Sequence, residues 1–386
     1  MTTQRYSPRE MIERLVAFDT TSAKSNLQLI DFVDAYLRDL GVPTRRTGDG
    51  GKANLFATIG PEIAGGVVLS GHSDVVPVDG QAWSHDPFDA VERDGRLYGR
   101  GTADMKSFIA VALAMVPDFL AAPLARPLHL AISYDEEVGC LGVSKLIEDI
   151  KAALPLPRMV IIGEPTSMQI VNAHKSITAL RTVITGKPAH SSQPQRGASA
   201  ILAAGKLINH IGEMAAAKRG SAPAGSPFDP PYTTFNVGTV EGGAALNIIP
   251  QSCAFTWEFR ALPEDDPRAI LAEFERFAGE AVLPSLREFE PAAEIVTQVM
   301  ADVVALVPES DGAAEALVRS LSRRNVTSVV SFGTEGGLFQ QAGFSTVVFG
   351  PGSIDQAHQP DEFIDLRQVE ACEAFLYKLR DWAIAG

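Results

Sequence analysis

Short apolar runs alternate with amphipathic segments along most of the chain, a pattern typical of a sheet covered by helices. Residues 7–40 have the helical spacing of apolar positions and predict a pair of helices, with Gly41 as the C-cap. Further apolar runs predict buried strands at 67–69, 128–134, 160–162 and 347–349. Helical periodicity predicts helices at 105–120, 143–154, 313–324 and 367–383.

The middle of the chain has a different pattern. Its predicted order is β-α-β-β-α-β, which is typical of a ferredoxin-like α+β domain. The elements are a strand at 181–184, a helix at 198–214, strands at 233–242 and 252–263, a helix at 267–278 and a short strand, Ser285–Phe289. We therefore expect an α/β domain with a mixed, helix-flanked sheet, formed by residues 1–179 and 293–386, and an inserted α+β domain at 180–292.

Composition and charge narrow the function classes. The chain has 386 residues, is 46% hydrophobic and carries a formal net charge of −14. Nucleic acids and anionic membranes bind basic surfaces, so neither is an expected partner. The N-terminal residues have charges where a signal peptide needs an apolar core, and the three cysteines are widely separated. We expect a cytoplasmic protein.

Polar side chains gather at the ends of the predicted strands. Ligands bind beyond the carboxyl ends of strands in open α/β sheets, so these groups are expected to share one crevice. They are His72 and Asp74, Glu136 and Glu137, Glu164, and the more distant His358, with Asp104 just before a helix. Taken singly, each could be an ordinary turn, cap or loop residue.

Together these residues predict a metal centre. His72, His358 and the carboxylates of Asp104, Glu137 and Glu164 suit Zn²⁺ or a similar divalent ion. Five ligands are one short of three for each of two ions, so one ligand is expected to be shared, and Asp104 is the candidate bridge. Glu136 is left as a general base, and Asp74 is expected to orient His72.

Five segments, in this order, resemble the family of two-zinc deacylases and exopeptidases, which includes acetylornithine deacetylases, succinyl-diaminopimelate desuccinylases, aminoacylases and glutamate carboxypeptidases. They are GHSDVVPV, GRGTADMKS, DEEVG, GEP and AHQPDEF. The resemblance covers essentially the whole chain. It implies a zinc-exopeptidase-like fold with a lid domain that also forms a homodimer, and a cofactor of two Zn²⁺ ions, with Co²⁺ as the alternative.

The resemblance also implies roles for single residues. His72, Asp104 and Glu164 would hold one ion, and Glu137, Asp104 and His358 the other. Glu136 would be the acid/base, supported by Asp74, and the Asp104–Met105 peptide bond would be cis. In the lid, His190 would stabilise the oxyanion, in several relatives across a dimer, and Asn247 and Arg260 would lie near the substrate. Ser107 stands where glycine is common, a departure that leaves the ligands unchanged.

Two segments, IIGEPTSMQIVNAHK and FGPGSIDQAHQPDEF, are most similar to acetylornithine deacetylases. This implies hydrolysis of N2-acetyl-L-ornithine to L-ornithine and acetate, a reaction of arginine biosynthesis. Thr334 and Glu335 are expected in the substrate pocket, with Glu335 facing a basic side chain; a surface turn is the alternative. Other substrates that stay open are N-succinyl-diaminopimelate, a range of N-acyl amino acids and dipeptides. A non-catalytic metal-binding scaffold is the non-enzyme alternative.

Overall fold

The computed structural model describes residues 5–153 and 156–385, and these form two compact units. The first unit comprises the described residues of Met1–Ala173, Leu306–Ser328 and Thr334–Gly386. The second comprises His174–Ala305 and Val329–Gly333. The chain therefore leaves the first unit, builds most of the second, returns, and contributes to the second once more at Val329–Gly333.

The strands are β1 (Thr44–Gly48), β2 (Ala53–Ile59), β3 (Val67–His72), β4 (Val91–Arg93), β5 (Arg96–Tyr98), β6 (Leu128–Ser133), β7 (Met159–Ile162), β8 (Ile170–His174), β9 (Ile177–Thr185), β10 (Thr234–Gly242), β11 (Ser252–Arg260), β12 (Glu294–Val303), β13 (Thr327–Val330), β14 (Ser345–Val348) and β15 (Phe363–Asp365). The α-helices are α1 (Pro8–Val16), α2 (Leu27–Asp39), α3 (Lys106–Ala114), α4 (Val116–Leu120), α5 (Val143–Ala153), α6 (Ala200–Gly220), α7 (Pro267–Phe277), α8 (Leu283–Arg287), α9 (Ala313–Ser322), α10 (Gly336–Gln341) and α11 (Leu366–Ile384). Residue 154, at the end of the predicted helix 143–154, lies outside the described residues.

The main sheet has eight strands in the order β1-β2-β6-β3-β7-β14-β8-β13. Its centre is parallel, because β3 pairs in parallel with β6 and β7, and β7 with β14. The edge on the side of β1 is antiparallel. Every residue of β3, β6 and β7 is buried, as expected of central strands with helices on both faces. The predicted mixed, helix-flanked sheet is confirmed.

Close helix–sheet packing fixes the backbone where β7 ends. A Cβ added to Gly163 would lie 2.0 Å from the ring of Phe108 in α3, a distance that no side chain tolerates. The lack of a side chain thus lets α3 pack directly against the chain that leads into Glu164. Substituting Gly163 would push this segment and α3 apart.

The second unit is a four-stranded antiparallel sheet in the order β10-β11-β9-β12, with α6 and α7 contributing to one core. The alternation predicted for 252–263 is confirmed, because one set of side chains from β11 is buried: Cys253, Phe255, Trp257 and Phe259. The other set is partly exposed. This is the pattern of a sheet that covers a core on one face.

The predicted short strand Ser285–Phe289 is wrong. Residues 283–287 form α8, which continues α7 through a single π-helical turn at Ala278–Val282. Val282 and Leu286 are buried, whereas Pro284 between them is exposed; in a strand all three would lie on one face, so this burial fits a helix and not a strand. The last strand of the second unit is β12, which pairs with β9. The long segment of the second unit, His174–Ala305, therefore extends past β12, whereas the sequence placed this boundary at 292.

Among the described residues, no helix is both long and apolar enough to cross a membrane. The three cysteines are buried and unpaired with one another.

Candidate metal centre

The carboxyl ends of four neighbouring parallel strands, β6, β3, β7 and β14, meet on one side of the main sheet. His72 is the last residue of β3 and lies opposite Ser133, the last residue of β6. Ser70 of β3 lies opposite Ile162, the last residue of β7. Because these registers align the strand ends, residues that follow each strand reach the same crevice.

Asp104 lies between two histidines. Its Oδ1 is 3.1 Å from Nε2 of His72, and its Oδ2 is 3.4 Å from Nε2 of His358. Nε2 of His72 is also 3.8 Å from Oε1 of Glu164, and Nε2 of His358 is 3.1 Å from Oε2 of Glu137. Each oxygen of Asp104 therefore faces a different histidine–glutamate pair, as a bridging carboxylate must.

The donor set fits two divalent ions. Ligand atoms at 2.0–2.2 Å from one Zn²⁺ lie at most about 4.4 Å apart, and all four contacts around Asp104 are shorter than this. Oε1 of Glu137 is buried with no hydrogen-bond partner among the described residues. A buried carboxylate oxygen without a partner is costly unless a cation is bound beside it.

Two sets of residues have ligand atoms all within 4.8 Å of one another: His72, Glu136 and Glu164, and His72, Asp104 and Glu137. These sets differ from the pairs around Asp104, because they group Glu137 with His72 and place Glu136 within ligand distance of His72 and Glu164. We follow the shorter pairwise contacts, because they involve all five predicted ligands, share only Asp104 between the two pairs, and leave Glu136 over. All five lie in the first unit.

The electrostatics of the centre also favour a cation. Burial, then repulsion from Asp104, raises the pKa of Glu137 to about 7, and burial raises the pKa of Glu164. Hydrogen bonds to Asp104 and Glu137 raise the pKa of His358 to about 10. Divalent cations favour ionised carboxylates and neutral imidazoles, so a bound ion would remove both perturbations.

Asp74 organises the segment that follows β6. Its Oδ1 accepts a hydrogen bond from the backbone N–H of Glu136 at 3.1 Å, and its Oδ2 accepts from the N–H of Glu137 at 3.3 Å. Oδ2 also accepts from the hydroxyl of Ser22 at 2.8 Å. Nδ1 of His72 lies closer to the backbone oxygen of Asp74, at 2.9 Å, than to its carboxylate, at 3.6 Å. The carboxylate therefore positions the two glutamates as well as facing His72.

Glu136 lies at the edge of the centre and is partly exposed. Its Oε1 accepts a hydrogen bond from Sγ of Cys140 at 3.5 Å. Burial raises the pKa of Glu136 well above its ordinary value, although the charge of His72 opposes this. The Asp104–Met105 peptide bond is cis, as the resemblance implied.

Thr334 and Glu335 are both buried, at 0% and 1% exposure. Oε2 of Glu335 accepts a hydrogen bond from Ser70 at 3.4 Å, while Oε1 has no partner among the described residues. Burial raises the pKa of Glu335 to about 7. Their contact with substrate stays a prediction, and the surface-turn alternative does not match this burial.

The other predicted site residues lie in the second unit. His190 and Asn247 are on adjacent segments, because the N–H of Ser191 donates to the backbone oxygen of Asn247 at 3.0 Å. Nδ1 of His190 is 2.8 Å from the hydroxyl of Ser192. Arg260 ends β11, and its Nε donates to Glu258 at 3.3 Å. The roles of all three stay predictions.

Three residues of the first unit that the sequence did not single out support the ligands: Gln81, Arg100 and Glu362. Glu362 accepts hydrogen bonds from the backbone around Asp104, and Gln81 donates to the backbone oxygen of His358. In the sequence, Glu362 is an acidic residue four positions after His358, within the AHQPDEF segment, and neither its type nor its position indicates this role.

Comparisons with known proteins identify the family of the chain. Residues 68–380 match Peptidase family M20/M25/M40. The chain is 38% identical over 383 residues to an acetylornithine deacetylase from Myxococcus xanthus, covering 95% of each protein. It is 35% identical over 387 residues to one from Pasteurella multocida, covering 96% of each.

Solved structures share the fold. An M20 family metallo-carboxypeptidase from Sulfolobus solfataricus matches 99% of this chain with a TM-score of 0.77 at 18% identity, over 100% of its own length. A tripeptidase from Staphylococcus aureus matches 99% of this chain, over 100% of its own, with a TM-score of 0.75 at 19% identity. The chain thus belongs to Peptidase family M20/M25/M40 and is a metal-dependent amide hydrolase.

Proposed function

We propose that this chain hydrolyses the N-acyl amide of an amino acid, with N2-acetyl-L-ornithine as substrate and L-ornithine and acetate as products. The reaction would serve arginine biosynthesis. The observation that carries the proposal is the similarity, over 95% of both chains, to a relative named acetylornithine deacetylase. The arrangement around Asp104 supports the chemistry, because its two oxygens face separate histidine–glutamate pairs.

His72, Asp104 and Glu164 would hold one divalent ion, and Glu137, Asp104 and His358 the other. Zn²⁺ is the proposed native ion, and Co²⁺ is the alternative. When bound, such ions supply Lewis acidity and make water a stronger acid near neutral pH. Their charge also suits a crevice in which buried carboxylates would otherwise repel one another.

Glu136 would move the proton. Its carboxylate would take a proton from the attacking water and later deliver it to the nitrogen of the leaving amine. The hydrogen bonds from the N–H groups of Glu136 and Glu137 to Asp74 support this role, because they fix the backbone position of Glu136. Glu136 is partly exposed as a residue, which suits a base that must reach water and substrate.

Residues of the second unit would complete recognition. Arg260 would bind the α-carboxylate in a bidentate manner, Asn247 would lie near the substrate, and His190 would stabilise the oxyanion. Thr334 and Glu335 would line the pocket, with Glu335 pairing with a basic side chain. We further propose a homodimer formed through the second unit, and a cytoplasmic location.

A substrate panel tests the proposal. The chelator-stripped protein, reloaded with Zn²⁺ or Co²⁺, would be assayed on N2-acetyl-L-ornithine, N-succinyl-diaminopimelate, N-acetylmethionine and dipeptides, with Glu136→Gln as the inactive control. We expect the highest kcat/KM for N2-acetyl-L-ornithine and loss of turnover on chelation. A higher kcat/KM for the succinylated substrate or for dipeptides would replace the substrate assignment, and turnover unaffected by chelation would contradict the metal assignment.

A further inference from the structure

The carboxylate of Glu362 lies inside the loop that carries Asp104. Its Oε1 accepts three backbone hydrogen bonds, from Gly101 at 3.1 Å, Ala103 at 2.8 Å and Asp104 at 3.1 Å. Glu362 is 1% exposed. Gly101 has φ +86° and an added Cβ would lie 2.9 Å from the side chain of Lys106, so glycine is needed for the loop to curl around this oxygen.

Arg100 connects the carboxylate of Glu362, through Gln81, to His358. Its guanidinium donates to Oε2 of Glu362 at 2.6 Å and to Oε1 of Gln81 at 2.6 Å. Gln81 in turn donates through Nε2 to the backbone oxygen of His358 at 3.0 Å. Trp83 donates to the same Oε1 of Gln81 at 3.0 Å and lies beneath the guanidinium, 5.1 Å away. The orientation of Gln81 is therefore fixed from both sides.

We propose that Glu362, Arg100 and Gln81 form a positioning network that holds Asp104 and His358 at the spacing required by two ions. The proposal deepens the proposed function and rests on it. Glu362 acts on the bridging ligand through the backbone of its loop, and Gln81 acts on His358 through the backbone oxygen. None of the three is expected to touch substrate or metal.

Glu362→Gln is the sharpest perturbation. The carboxylate now accepts from backbone N–H groups on one oxygen and from Arg100 on the other. An amide has one oxygen, so its NH₂ must face donors on one of these sides. Residues that hold metal ligands in place typically change metal affinity 10–100-fold when they are substituted. We expect Glu362→Gln to weaken binding of Zn²⁺ by about this factor, and to lower kcat more than it raises KM.

Asp361→Asn is the matched control. It removes the same charge one position earlier, but Asp361 accepts hydrogen bonds from Ser84, at 2.9 and 3.0 Å, and not from the loop of Asp104. Dissociation constants for Zn²⁺ would be measured on both apo-proteins by competition with a chromogenic chelator. The visible spectrum of the Co²⁺-loaded proteins would report the ligand geometry. We expect a changed spectrum for Glu362→Gln and an unchanged one for Asp361→Asn.

A second variant tests the network without replacing either residue of the buried Arg100–Glu362 pair, although Arg100 loses one acceptor. Gln81→Ala removes the hydrogen bond to the backbone oxygen of His358, and Gln359→Ala, at an exposed neighbour of His358, is its control. We expect about tenfold weaker binding of one of the two ions in Gln81→Ala and no change in Gln359→Ala. This measurement stands even if Glu362→Gln does not fold.

Two outcomes overturn the proposal. One is that Glu362→Gln binds two ions with dissociation constants within about twofold of those of Asp361→Asn. The other, decisive where Glu362→Gln does not fold, is that Gln81→Ala binds both ions as tightly as Gln359→Ala. Failure of the proposed function looks different, because the unmodified chain would then bind no pair of ions or would not hydrolyse acylated amino acids.

Discussion

Replacing Asp74 with asparagine changes the hydrogen bonding of the metal centre while keeping the size and shape of the side chain. The carboxylate accepts from the N–H of Glu136 on Oδ1, and from the N–H of Glu137 and the hydroxyl of Ser22 on Oδ2. An asparagine amide must point its NH₂ toward one of these sides. In either orientation one backbone N–H loses its acceptor, although the hydroxyl of Ser22 can rotate to accept.

The magnitude follows from these contacts. An N–H left buried without an acceptor costs about 1–3 kcal/mol, and the remaining hydrogen bonds weaken because their acceptor is no longer charged. Loss of one buried charge beside Glu136 and Glu137 partly offsets this cost. We expect a net destabilisation of about 2 kcal/mol. For a unit of this size, that corresponds to a fall in Tm of roughly 4–8 °C.

Activity should fall as well, because the released backbone carries both Glu136 and Glu137. A drop in kcat of about 10–100-fold is expected from loosening residues that support a metal centre. The assay is thermal unfolding of the apo-protein by circular dichroism, followed by turnover of the Zn²⁺-loaded protein. Asp79→Asn, an exposed residue on the same connection, is the control for loss of charge alone.

The assignment of Asp74 is refuted by an Asp74→Asn variant whose Tm lies within about 1 °C of that of Asp79→Asn and whose kcat is unchanged. A fall in Tm with normal kcat would restrict Asp74 to a structural role. A fall in kcat with normal Tm would contradict the predicted loss of one backbone hydrogen bond, since an unpaired N–H must destabilise the folded state.

Four further predictions follow from the site and its surroundings. Glu136→Gln should lower kcat by about 10²–10⁴-fold with an unchanged metal content, measured by elemental analysis; normal turnover would end its role as the base. Asp104→Ala should lose both ions in the same measurement, and retention of two tightly bound ions would contradict the bridge. Glu335→Gln should raise KM for N2-acetyl-L-ornithine more than for N-acetylmethionine; equal effects would remove Glu335 from the pocket. Burial lowers the pKa of His129 to about 4. As the pH is lowered from about 6.5 to 4, the unfolded chain therefore takes up a proton that the folded chain does not, and the free energy of unfolding decreases. Urea unfolding should show that the free energy of unfolding of His129→Gln decreases by about 3 kcal/mol less than that of the unmodified protein over this range. Equal decreases would show that His129 is not held neutral.

Much of the first unit could be predicted from the sequence because its strands are short apolar runs bounded by polar residues. The strands β3, β6 and β7 are buried throughout, and the end of β14 is apolar and buried, so composition identifies all four. In the second unit the alternation of β11 was equally informative. The segment 285–289 was mistaken for a strand because five residues are too few to separate an alternating pattern from a helical one.

The sequence by itself determined the buried central strands, the helix-flanked sheet they form, and the His and carboxylate groups at the ends of those strands. Only the tertiary structure decided how these groups contact one another. The hydrogen bond from Glu136 to Asp74 joins residues 62 positions apart, and that from Asp104 to Glu362 joins residues 258 positions apart. Local periodicity reports burial and secondary structure, whereas such distant pairs depend on strand register and packing, which no short segment encodes alone.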